Sequence, residues 1–479
     1  MRKTKIVATL GPATDDPVVL RTLIDAGLDV ARFNFSHGDH EEKKARVDVF
    51  RKVCKEAGKT VALLADTKGP EIRLGKFEGG RTELTAGNIF TLTSSDVLGD
   101  CTKASISYAK LPQEVEQGAR ILLDDGLLEL TVEAILGNDI KTRVIIGGPL
   151  SDRKGVNVPG ISLDIPYISA KDRMDLRFFI ENEFDIIAAS FVRSADDIKE
   201  IRQELHRLDS SNKIKLIAKI ENSEGVKNAD TILAVCDGLM VARGDLGVEV
   251  AYEELPIIQK DLIKRAVSQG KPCITATQML ESMINNPRPT RAETSDVANA
   301  IYDGTSALML SGETAAGKYP LKALTTMAKI AERIERDIDY KQRFFTGEYK
   351  SESSITNAIS RATVTTSHDL HTAAILTASL TGMTAQSVAK FRPTAPIIAC
   401  TPDPIVQRQL NLIWGVIPLL TEPESDPEAQ FNQAVEAALK AGLVVEGDLV
   451  VLTGGIPVGH SGTTNMLMVN VVGAKIHVT

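Results

Sequence analysis

The chain has 479 residues, of which 43% are hydrophobic, so it can bury more than one core and is expected to fold as about two to four domains. Its formal net charge is −8, from 55 basic and 63 acidic side chains, which argues against non-specific binding to nucleic acids or anionic membranes. The spacing of the five cysteines is not that of a zinc site or a disulfide framework, and we expect neither. Because no run of 18 apolar residues occurs, we expect a cytoplasmic protein without a membrane span.

Alternating strand and helix patterns open the chain. Apolar runs at residues 5–10, 30–38 and 60–67 predict three strands. Residues 16–26 and 41–56, which lie between those runs, have the composition and termini of helices. Consecutive βα units of this kind predict a parallel sheet.

The pattern changes at residue 70. From there to residue 167 the chain consists of short alternating runs separated by Gly, Asp and Asn turns, with little helical periodicity. Residues 70–167 are therefore predicted to form a separate all-β domain, inserted into a loop of the domain that precedes it.

Five further strand-like runs follow the insertion, and each ends in polar residues. They lie at 185–191, 215–221, 238–241, 272–277 and 307–310. Three strands before the insertion and five after it make eight, as in a (β/α)8 barrel, where reactive groups lie at the C-terminal ends of the strands. The predicted fold is α/β: a (β/α)8 (TIM) barrel from residues 1–69 and 168–337, the inserted domain at 70–167, and a C-terminal α/β domain at 338–479.

Residues 216–224 carry Lys219 and Glu221 where a buried parallel strand should be apolar. Two positions apart on a strand, these side chains share one face. Burying them costs several kcal/mol unless they are paired or bind a metal or ligand. One interpretation is a structural ion pair, and the other is a functional site.

Charged residues at the ends of other strands favour the functional interpretation. Glu221 and Asp245 are natural ligands of a divalent cation, because Mg²⁺ and Mn²⁺ prefer carboxylate oxygens. Lys219 and Arg32 add two cations, and Gly244 lets backbone N–H groups approach a small anion. Such a site suits phosphoryl transfer, where catalysis is mainly positioning and neutralisation of charge.

Two further groups of residues are each open to two interpretations. The first suits either a monovalent-cation site or a plain hydrogen-bond network, and consists of Asn34, Ser36, Asp66 and Thr67. The second is the loop at 379–384, which leads into a helix as a phosphate-binding loop would, together with the Gly-rich loop at 454–464 that could close over it. Both of these segments also fit ordinary loops.

The chain resembles the pyruvate kinase family along its whole length. The resemblance is carried, in the family's order, by ATLGPA (8–13), RFNFSHG (32–38), DTKGPEIR (66–73), KGVN (154–157), LIAKIENSE (216–224), ARGDLG (242–247), ATQM (276–279) and MLSGET (309–314). It implies transfer of a phosphoryl group from phosphoenolpyruvate to ADP, followed by protonation of the enolate to pyruvate, the last step of glycolysis.

The resemblance also implies roles for the residues of the barrel. Mg²⁺ or Mn²⁺ would be bound by Glu221 and Asp245, and Lys219 would stabilise the transferred phosphoryl group beside Arg32. The substrate would contact Arg32, Lys219, Ala242, Arg243, Gly244, Asp245 and Thr277. The proton would be delivered from the side of Thr277, Ser311 and Glu313.

The remaining roles are implied in the same way. K⁺ would be bound by Asn34, Ser36, Asp66 and Thr67, and Glu71 fits a K⁺-dependent enzyme. The nucleotide side would be formed by Thr9, Pro12, Asn34, His37, Arg73 and Lys154, under the inserted β-barrel domain as a mobile lid. A phosphorylated small-molecule effector would be bound by Ser379, Thr381, Gly382, Thr384, Ser461, Gly462 and Thr463. A homotetramer is expected.

Two alternatives to this activity are considered. A metal-dependent lyase or aldolase of the barrel type would stabilise an enolate without a nucleotide, and Arg73, Lys154 and the inserted domain argue against it. A catalytically inactive metabolite sensor would be expected to lack an active-site residue, and none is missing. Formation of ATP from ADP and phosphoenolpyruvate separates the kinase from both.

Overall fold

The chain begins with βα units, as predicted. The computed structural model describes residues 1–347, 353–458, 464–474 and 476. The first elements are β1 (Lys5–Thr9), a 3-10 turn (Pro12–Thr14), α1 (Pro17–Asp25), β2 (Val30–Asn34), α2 (His40–Ala57) and β3 (Ala62–Asp66).

Residues at the helix termini explain where these first helices begin and end. The Asp16 side chain accepts a hydrogen bond from the backbone N–H of Val18, and Pro17 occupies the first turn of α1. The Asp39 side chain caps α2 in the same way. At the other end of α2, Gly58 takes a left-handed conformation with φ 61°, which a glycine adopts without strain.

The inserted domain follows β3 and is built almost entirely of strands. They are β4 (Ile72–Arg73), β5 (Arg81–Leu84), β6 (Ile89–Thr93), β7 (Lys103–Ser105), β8 (Arg120–Leu123), β9 (Leu128–Leu136), β10 (Asp139–Ile146), β11 (Gly148–Ser151) and β12 (Gly155–Asn157), with a short helix α3 (Leu111–Glu114) and a 3-10 turn (Glu78–Gly80). Seven strands form one sheet in the order β4-β12-β8-β9-β10-β6-β7, and β5 pairs with β11. Isolated bridges between Leu74 and Ile106 and between Phe77 and Gly99 connect the two edge regions of the domain.

The βα pattern then resumes. Its strands are β13 (Ile186–Ala189), β14 (Lys215–Ile220), β15 (Gly238–Ala242), β16 (Cys273–Ala276) and β17 (Ala307–Leu310). The helices are α4 (Ala170–Glu181), α5 (Ala195–Leu208), α6 (Ser223–Lys227), α7 (Ala229–Val235), α8 (Arg243–Glu249), α9 (Leu255–Ser268), α10 (Arg291–Tyr302), α11 (Gly312–Ala315), α12 (Pro320–Glu335) and α13 (Tyr340–Phe345), with a 3-10 turn at Glu281–Ile284.

Eight parallel strands close into a barrel in the order β1-β17-β16-β15-β14-β13-β3-β2. The interior is filled by a buried apolar cluster that includes Val7, Leu64, Ile217 and Met240. All eight C-terminal strand ends therefore lie at one face, and the inserted domain leaves the barrel at that face, directly after β3. The predicted fold class is confirmed, with a closed eight-stranded barrel, a separate domain made mostly of strands and a C-terminal α/β domain.

The C-terminal domain is a five-stranded sheet flanked by helices. Its elements are α14 (Ile355–Leu370), β18 (Ala374–Ala378), α15 (Met383–Ala389), β19 (Ile397–Thr401), α16 (Pro404–Gln409), a 3-10 turn (Leu410–Leu412), β20 (Val416–Leu420), α17 (Pro427–Lys440), β21 (Leu449–Gly455) and β22 (Thr464–Val471). The strand order is β20-β19-β18-β21-β22, and only β22 is antiparallel to its neighbour.

The C-terminal domain packs against the end of the barrel opposite the inserted domain. Arg408 donates to Asp185, just before β13, at 2.7 Å, and Leu412 joins the apolar cluster inside the barrel. Burial raises the pKa of Asp185 to about 6, against the opposing charge of Arg408. None of the helices in the described ranges is long and apolar enough to cross a membrane.

Candidate active site

Lys219 lies near the C-terminal end of β14 and is 8% exposed. Its ammonium nitrogen is 2.9 Å from Asp66 Oδ1, 2.9 Å from Glu221 Oε1, and donates to Ser190 Oγ at 2.7 Å. Although burial opposes the charged form, the carboxylates of Asp66 and Glu221 raise the pKa of Lys219. The ion pair that was one interpretation of this strand is therefore present, but the ammonium is shared between two carboxylates.

Asp66, the last residue of β3, connects Lys219 to Arg32. Arg32 Nε donates to Asp66 Oδ2 at 2.6 Å, and Arg32 also donates to Thr9 Oγ1 at 2.8 Å. Although burial opposes ionisation, Arg32 and Lys219 lower the pKa of Asp66. Asp66 is thus an ionised carboxylate between two cations, a contact that the sequence did not indicate.

Glu221 follows β14 directly and is fully buried. Its Oε2 accepts a hydrogen bond from the backbone N–H of Phe191 at 2.6 Å. Its Oε1 is close to Lys219 but outside hydrogen-bonding geometry, and has no hydrogen-bond partner within the described part of the chain. Burial raises the pKa of Glu221 to about 8 against the opposing Lys219 ammonium, and the Asp245 carboxylate adds to the rise.

Asp245, in the first turn of α8, lies beside Glu221. Burial also raises the pKa of Asp245. Two neighbouring carboxyl groups with raised pKa values fit a divalent cation, because the cation would neutralise both. Across the described ranges no three His, Cys, Asp or Glu side chains are grouped to hold a metal, so this pair would leave other coordination positions to substrate and water.

The four residues predicted to bind K⁺ lie at the adjacent ends of β2 and β3, where Asn34 and Asp66 are directly paired. Asn34 Oδ1 accepts from the backbone N–H of Ser36 at 3.0 Å, and Thr67 Oγ1 accepts from the backbone N–H of Ser190 at 3.0 Å. The Asp66 carboxylate bonds Arg32, as described above. Both interpretations of this cluster, a hydrogen-bond network and a monovalent-cation site, fit these contacts.

The Arg243 side chain is engaged within the protein. Its guanidinium is 2.7 Å from both carboxylate oxygens of Asp296 and donates to the carbonyl oxygens of Thr277 at 2.7 Å and Gln278 at 3.1 Å. Thr277 and Gln278 both have left-handed backbones, with φ 66° and 53°. The guanidinium therefore stabilises a strained turn at the end of β16, and leaves only the Arg243 backbone for the predicted contact with substrate.

Gly244 and Thr277 meet beside this turn. The Gly244 N–H donates to Thr277 Oγ1 at 2.8 Å, and Thr277 Oγ1 donates to the carbonyl oxygen of Ala276 at 2.6 Å. Ala242, the last residue of β15, is 1% exposed and positions the turn into α8. These predicted substrate residues form one continuous edge of the site.

Ser311 and Glu313 follow β17. Glu313 is 1% exposed, and its two carboxylate oxygens accept hydrogen bonds from the backbone N–H groups of Leu280 at 3.1 Å and Ser311 at 2.7 Å. Within the described part of the chain, Ser311 Oγ is buried and has no hydrogen-bond partner. A buried hydroxyl of this kind calls for a water or ligand partner, because leaving it unbonded costs about 1–3 kcal/mol.

A cleft of about 410 Å³ lies between the inserted domain and the barrel. The predicted nucleotide residues His37, Arg73 and Lys154 line it, together with Asp245. Arg73 pairs with Glu71 at 2.7 Å, and Lys154 pairs with an acidic turn residue, Asp124, at 2.7 Å.

Three predicted nucleotide residues lie elsewhere in this structure. Thr9 bonds to Arg32 and donates to the carbonyl oxygen of Leu310 at 2.9 Å, below the cleft. Pro12 begins the 3-10 turn after β1, and Asn34 ends β2. None of the three lines the described cleft.

The predicted effector residues are only partly described. Thr384 Oγ1 shares a hydrogen bond of 2.8 Å with Thr464 Oγ1, and both threonines are buried. Thr381 and Gly382 line a small cavity at the interface with the barrel, and the Ser379 N–H donates to the carbonyl oxygen of Cys400. The other three predicted residues lie outside the described residues: Ser461, Gly462 and Thr463.

A second, larger cavity of about 120 Å³ lies next to this loop. Its lining includes Leu380, Thr421, Glu422, Glu424 and Val458. Two carboxylates in this lining place negative charge close to the predicted phosphate loop. The cavity is thus adjacent to the loop and has acidic residues in its lining.

Several site contacts involve residues that the sequence analysis did not select. Ser190 lies within the predicted strand run 185–191 but was not selected as a site residue, yet it bonds Lys219 and Thr67. Asp296 lies on α10 and is recognisable only through its partner Arg243. The pair Asp124 and Asp125 has a sequence signal, since the dipeptide precedes Gly126 in a turn between β8 and β9.

Two family models match the chain. The model described as pyruvate kinase, barrel domain, matches residues 1–324, and the model described as pyruvate kinase, alpha/beta domain, matches residues 357–470. The chain belongs to the pyruvate kinase family. The family, and with it the enzyme class of a phosphotransferase, is therefore as predicted from the sequence motifs.

Individual pyruvate kinases are similar over nearly the whole chain. The pyruvate kinase of Geobacillus stearothermophilus is 51% identical over 473 residues, which make up 98% of this chain and 80% of that one. The pyruvate kinase of Clostridium acetobutylicum is 47% identical over 473 residues, or 98% of this chain and 100% of that one. A crystal structure of a pyruvate kinase from Cryptosporidium parvum has a TM-score of 0.93 at 38% identity, covering 98% of this chain and 96% of that one. The lyase or aldolase alternative is not supported.

Proposed function

We propose that this site transfers the phosphoryl group of phosphoenolpyruvate to ADP, giving ATP and pyruvate, with Lys219 as the group that stabilises the phosphoryl in transfer. The observation that carries the proposal is the charge arrangement at the strand ends. Two cations, Lys219 and Arg32, share Asp66, and two carboxyl groups, Glu221 and Asp245, lie next to Lys219. Phosphoryl transfer requires this mixture of fixed positive charge and metal ligands.

Glu221 and Asp245 would hold the Mg²⁺ or Mn²⁺ that pyruvate kinases generally use. When bound, the cation neutralises charge on the carboxylate and phosphate of the substrate. Support comes from the burial of the neighbouring Glu221 and Asp245 carboxyl groups and from their raised pKa values, since the Lys219 ammonium 2.9 Å from Glu221 Oε1 does not offset the burial of both groups. The N–H of Phe191 orients the Glu221 carboxylate through its other oxygen.

Lys219 and Arg32 would act on the phosphate itself. The charged form of Lys219 is stabilised by Asp66 and Glu221, so its ammonium keeps its charge when the substrate leaves. Asp66 holds the two cations in fixed positions, which reduces the reorganisation needed as charge develops on the phosphoryl group. The backbone of Ala242, Arg243 and Gly244 would contact the substrate next to them.

The enolate left after transfer would be protonated from the side of Thr277, Ser311 and Glu313. The Ser311 hydroxyl, which has no hydrogen-bond partner among the described residues, supports a water at this position, which would connect the three residues. Glu313 would orient this group rather than donate the proton, because both its carboxylate oxygens accept backbone hydrogen bonds.

ADP would enter the cleft under the inserted domain. Arg73 and Lys154 in that domain supply positive charge, and His37 faces them from the barrel side. Thr9, Pro12 and Asn34 do not line this cleft, and they would contribute to the nucleotide side from the ends of β1 and β2. The inserted domain, which we place at residues 70–167 between the barrel segments 1–69 and 168–337, would act as a lid that excludes water, and residues 338–479 would form the regulatory domain.

An assay with ADP, phosphoenolpyruvate, Mg²⁺ and K⁺ tests the proposal directly. ATP and pyruvate are expected in equal amounts. A purified, folded protein that forms no ATP under these conditions would overturn the kinase assignment. Pyruvate formed without ATP would point instead to hydrolysis or another enolpyruvate reaction.

Glu71→Lys is expected to reduce the dependence of the rate on K⁺. The ion would be held by Asn34, Ser36, Asp66 and Thr67, and a lysine ammonium at position 71 would supply a cation in its place. Initial rates across a K⁺ series, at constant ionic strength set by a bulky organic cation, measure the effect. Glu71→Gln is the matched control, since it also breaks the 2.7 Å pair with Arg73 but supplies no cation. Equal K⁺ activation in wild type and Glu71→Lys would count against the cation site.

Thr384→Ala is expected to weaken activation by a phosphorylated effector without changing the maximal rate. The loop with Ser379, Thr381 and Gly382 would bind the effector's phosphate, and Ser461, Gly462 and Thr463, which lie outside the described residues, stay predicted members of the same site. The substitution removes a hydroxyl that is bonded to Thr464, so Thr384→Ser serves as a control that keeps this bond. Dose–response curves with a panel of sugar phosphates and nucleotides measure the change, and an unaltered response in Thr384→Ala would remove Thr384 from the site.

A homotetramer and a cytoplasmic location stay predictions. Family membership supports both. Sedimentation velocity of the purified protein measures the oligomeric state, and a monomer at working concentration would contradict the prediction.

A further inference from the structure

Tyr167 links the inserted domain to the active site. It lies in the segment between β12, the last strand of that domain, and α4 of the barrel. Its side chain is 5% exposed, and its hydroxyl donates to the carbonyl oxygen of Ser190 at 2.8 Å. Burial raises the pKa of Tyr167 well above its usual value, so the phenol stays a neutral hydrogen-bond donor at physiological pH.

Ser190 is the first residue beyond β13, and it bonds Lys219 directly. Its hydroxyl accepts from Lys219 Nζ at 2.7 Å and donates to the carbonyl oxygen of Thr67 at 2.6 Å. The pairing of β13 with β14 ends one residue earlier, at Ala189. The sheet therefore does not fix the Ser190 carbonyl, and the Tyr167 hydroxyl supplies a bond at this point.

The backbone of the next residue, Phe191, positions a second side chain of the site. Phe191 has a left-handed backbone with φ 54°, which is unfavourable for a bulky side chain. In this conformation its N–H points at Glu221 Oε2, at 2.6 Å. The turn at 190 and 191 thus orients both Lys219 and Glu221, and its geometry must be held by other contacts because the backbone alone does not favour it.

A second contact attaches the same linker to the same turn. Arg193 donates to the carbonyl oxygen of Leu163 at 3.0 Å, and its guanidinium lies 5.8 Å from the centre of the Tyr167 ring. Arg193 is itself paired with Asp197 at 3.1 Å. The segment that leaves the inserted domain is therefore joined to the loop after β13 at two points.

We propose that Tyr167 is a positioning residue for phosphoryl transfer, whose hydroxyl fixes Ser190 so that Ser190 can hold the ammonium of Lys219. The inference rests on the proposed role of Lys219. Because Tyr167 belongs to the linker of the inserted domain, a displacement of that domain is transmitted to the partner of Lys219. Substrate binding depends mainly on other groups, so the effect of losing the hydroxyl falls on the chemical step.

The test is Tyr167→Phe, which removes only the hydroxyl. We expect kcat to fall about tenfold, the size expected for the loss of one buried hydrogen bond, with KM for phosphoenolpyruvate and ADP within about twofold of wild type. Tyr302→Phe is the control for removing a tyrosine hydroxyl, because that hydroxyl donates at the same length, 2.8 Å, to Asp337 in an exposed pair outside the site. Its kinetics should equal those of wild type.

A double-mutant cycle separates positioning from a general loss of stability. If Tyr167 acts through the Ser190 hydroxyl, adding Tyr167→Phe to Ser190→Ala should change kcat by less than about twofold. Equal effects of Tyr167→Phe on kcat in the wild-type and Ser190→Ala backgrounds would overturn the inference. An unchanged kcat in Tyr167→Phe would also overturn it, as would a fall in Tm that parallels the fall in kcat in both Tyr167→Phe and Ser190→Ala. A wild-type protein that forms no ATP would instead overturn the proposed function.

Discussion

Replacing Lys219 with alanine is expected to lower kcat by about 10²- to 10³-fold while leaving KM for phosphoenolpyruvate largely unchanged. The ammonium would act mainly on charge that develops as the phosphoryl group leaves its oxygen. The charge that the substrate carries before reaction would also be met by Arg32 and by the metal at Glu221 and Asp245. Steady-state rates of ATP formation at saturating Mg²⁺ and K⁺, with both substrates varied, measure this difference.

The position of Lys219 in a buried ion cluster calls for a stability measurement on the same variant. Asp66 and Glu221 both lose their 2.9 Å contact, and removing one member of a buried ion pair typically costs about 3–5 kcal/mol. Lys215→Ala is the control, since Lys215 begins the same strand and pairs at 3.5 Å with Asp237, away from the site. Near-normal kcat in a folded Lys219→Ala protein would contradict the assignment of Lys219 to the transferred phosphoryl group.

The barrel strands could be predicted from the sequence because strands buried on both faces are continuous apolar runs. The observed β17, Ala307–Leu310, has the predicted bounds. The second strand was predicted to reach residue 38, but β2 ends at Asn34. The Asn34 side chain accepts a hydrogen bond from the N–H of Ser36, and such a local bond competes with continuation of the strand.

The grouping of the candidate site residues can be predicted from the same pattern, but the pairing among them cannot. Polar residues at the ends of parallel strands must meet at one face, which is why Lys219, Glu221 and Asp245 could be grouped in advance. The sequence could not indicate that Asp66 would bond both Lys219 and Arg32, because this depends on how side chains from β2, β3 and β14 meet across the barrel.

Contacts made by residues outside the strands were harder still to predict. Asp296 is 53 positions from Arg243, and its bond depends on the packing of α10 against the loop after β16. Tyr167 is a single aromatic residue in a linker and belongs to no periodic pattern. Its role becomes visible only when its hydroxyl is found 2.8 Å from the carbonyl oxygen of Ser190.

The second large effect is expected from the two carboxylates of the proposed metal site. Glu221→Gln and Asp245→Asn should each lower the rate by about 10²-fold or more and raise the Mn²⁺ concentration needed for activity, since a bound metal supplies several kcal/mol of charge stabilisation. Binding is measured independently of turnover by titrating the protein with Mn²⁺ and following the free ion by electron paramagnetic resonance. Both variants should bind Mn²⁺ much more weakly than wild type.

The metal-free proteins provide the sharper comparison. Because Asp245 adds to the raised pKa of Glu221, neutralising Asp245 relieves repulsion between the two carboxyl groups, so metal-free Asp245→Asn should be at least as stable as metal-free wild type. Mn²⁺ should then raise the Tm of wild type but not of the variant, because only a protein that binds the ion in its folded state is stabilised by it. Asp125→Asn is the matched control: this carboxylate also adds to the raised pKa of Asp245, but it is not a proposed ligand, so Mn²⁺ binding should persist. Undiminished Mn²⁺ binding by Asp245→Asn would place the metal elsewhere.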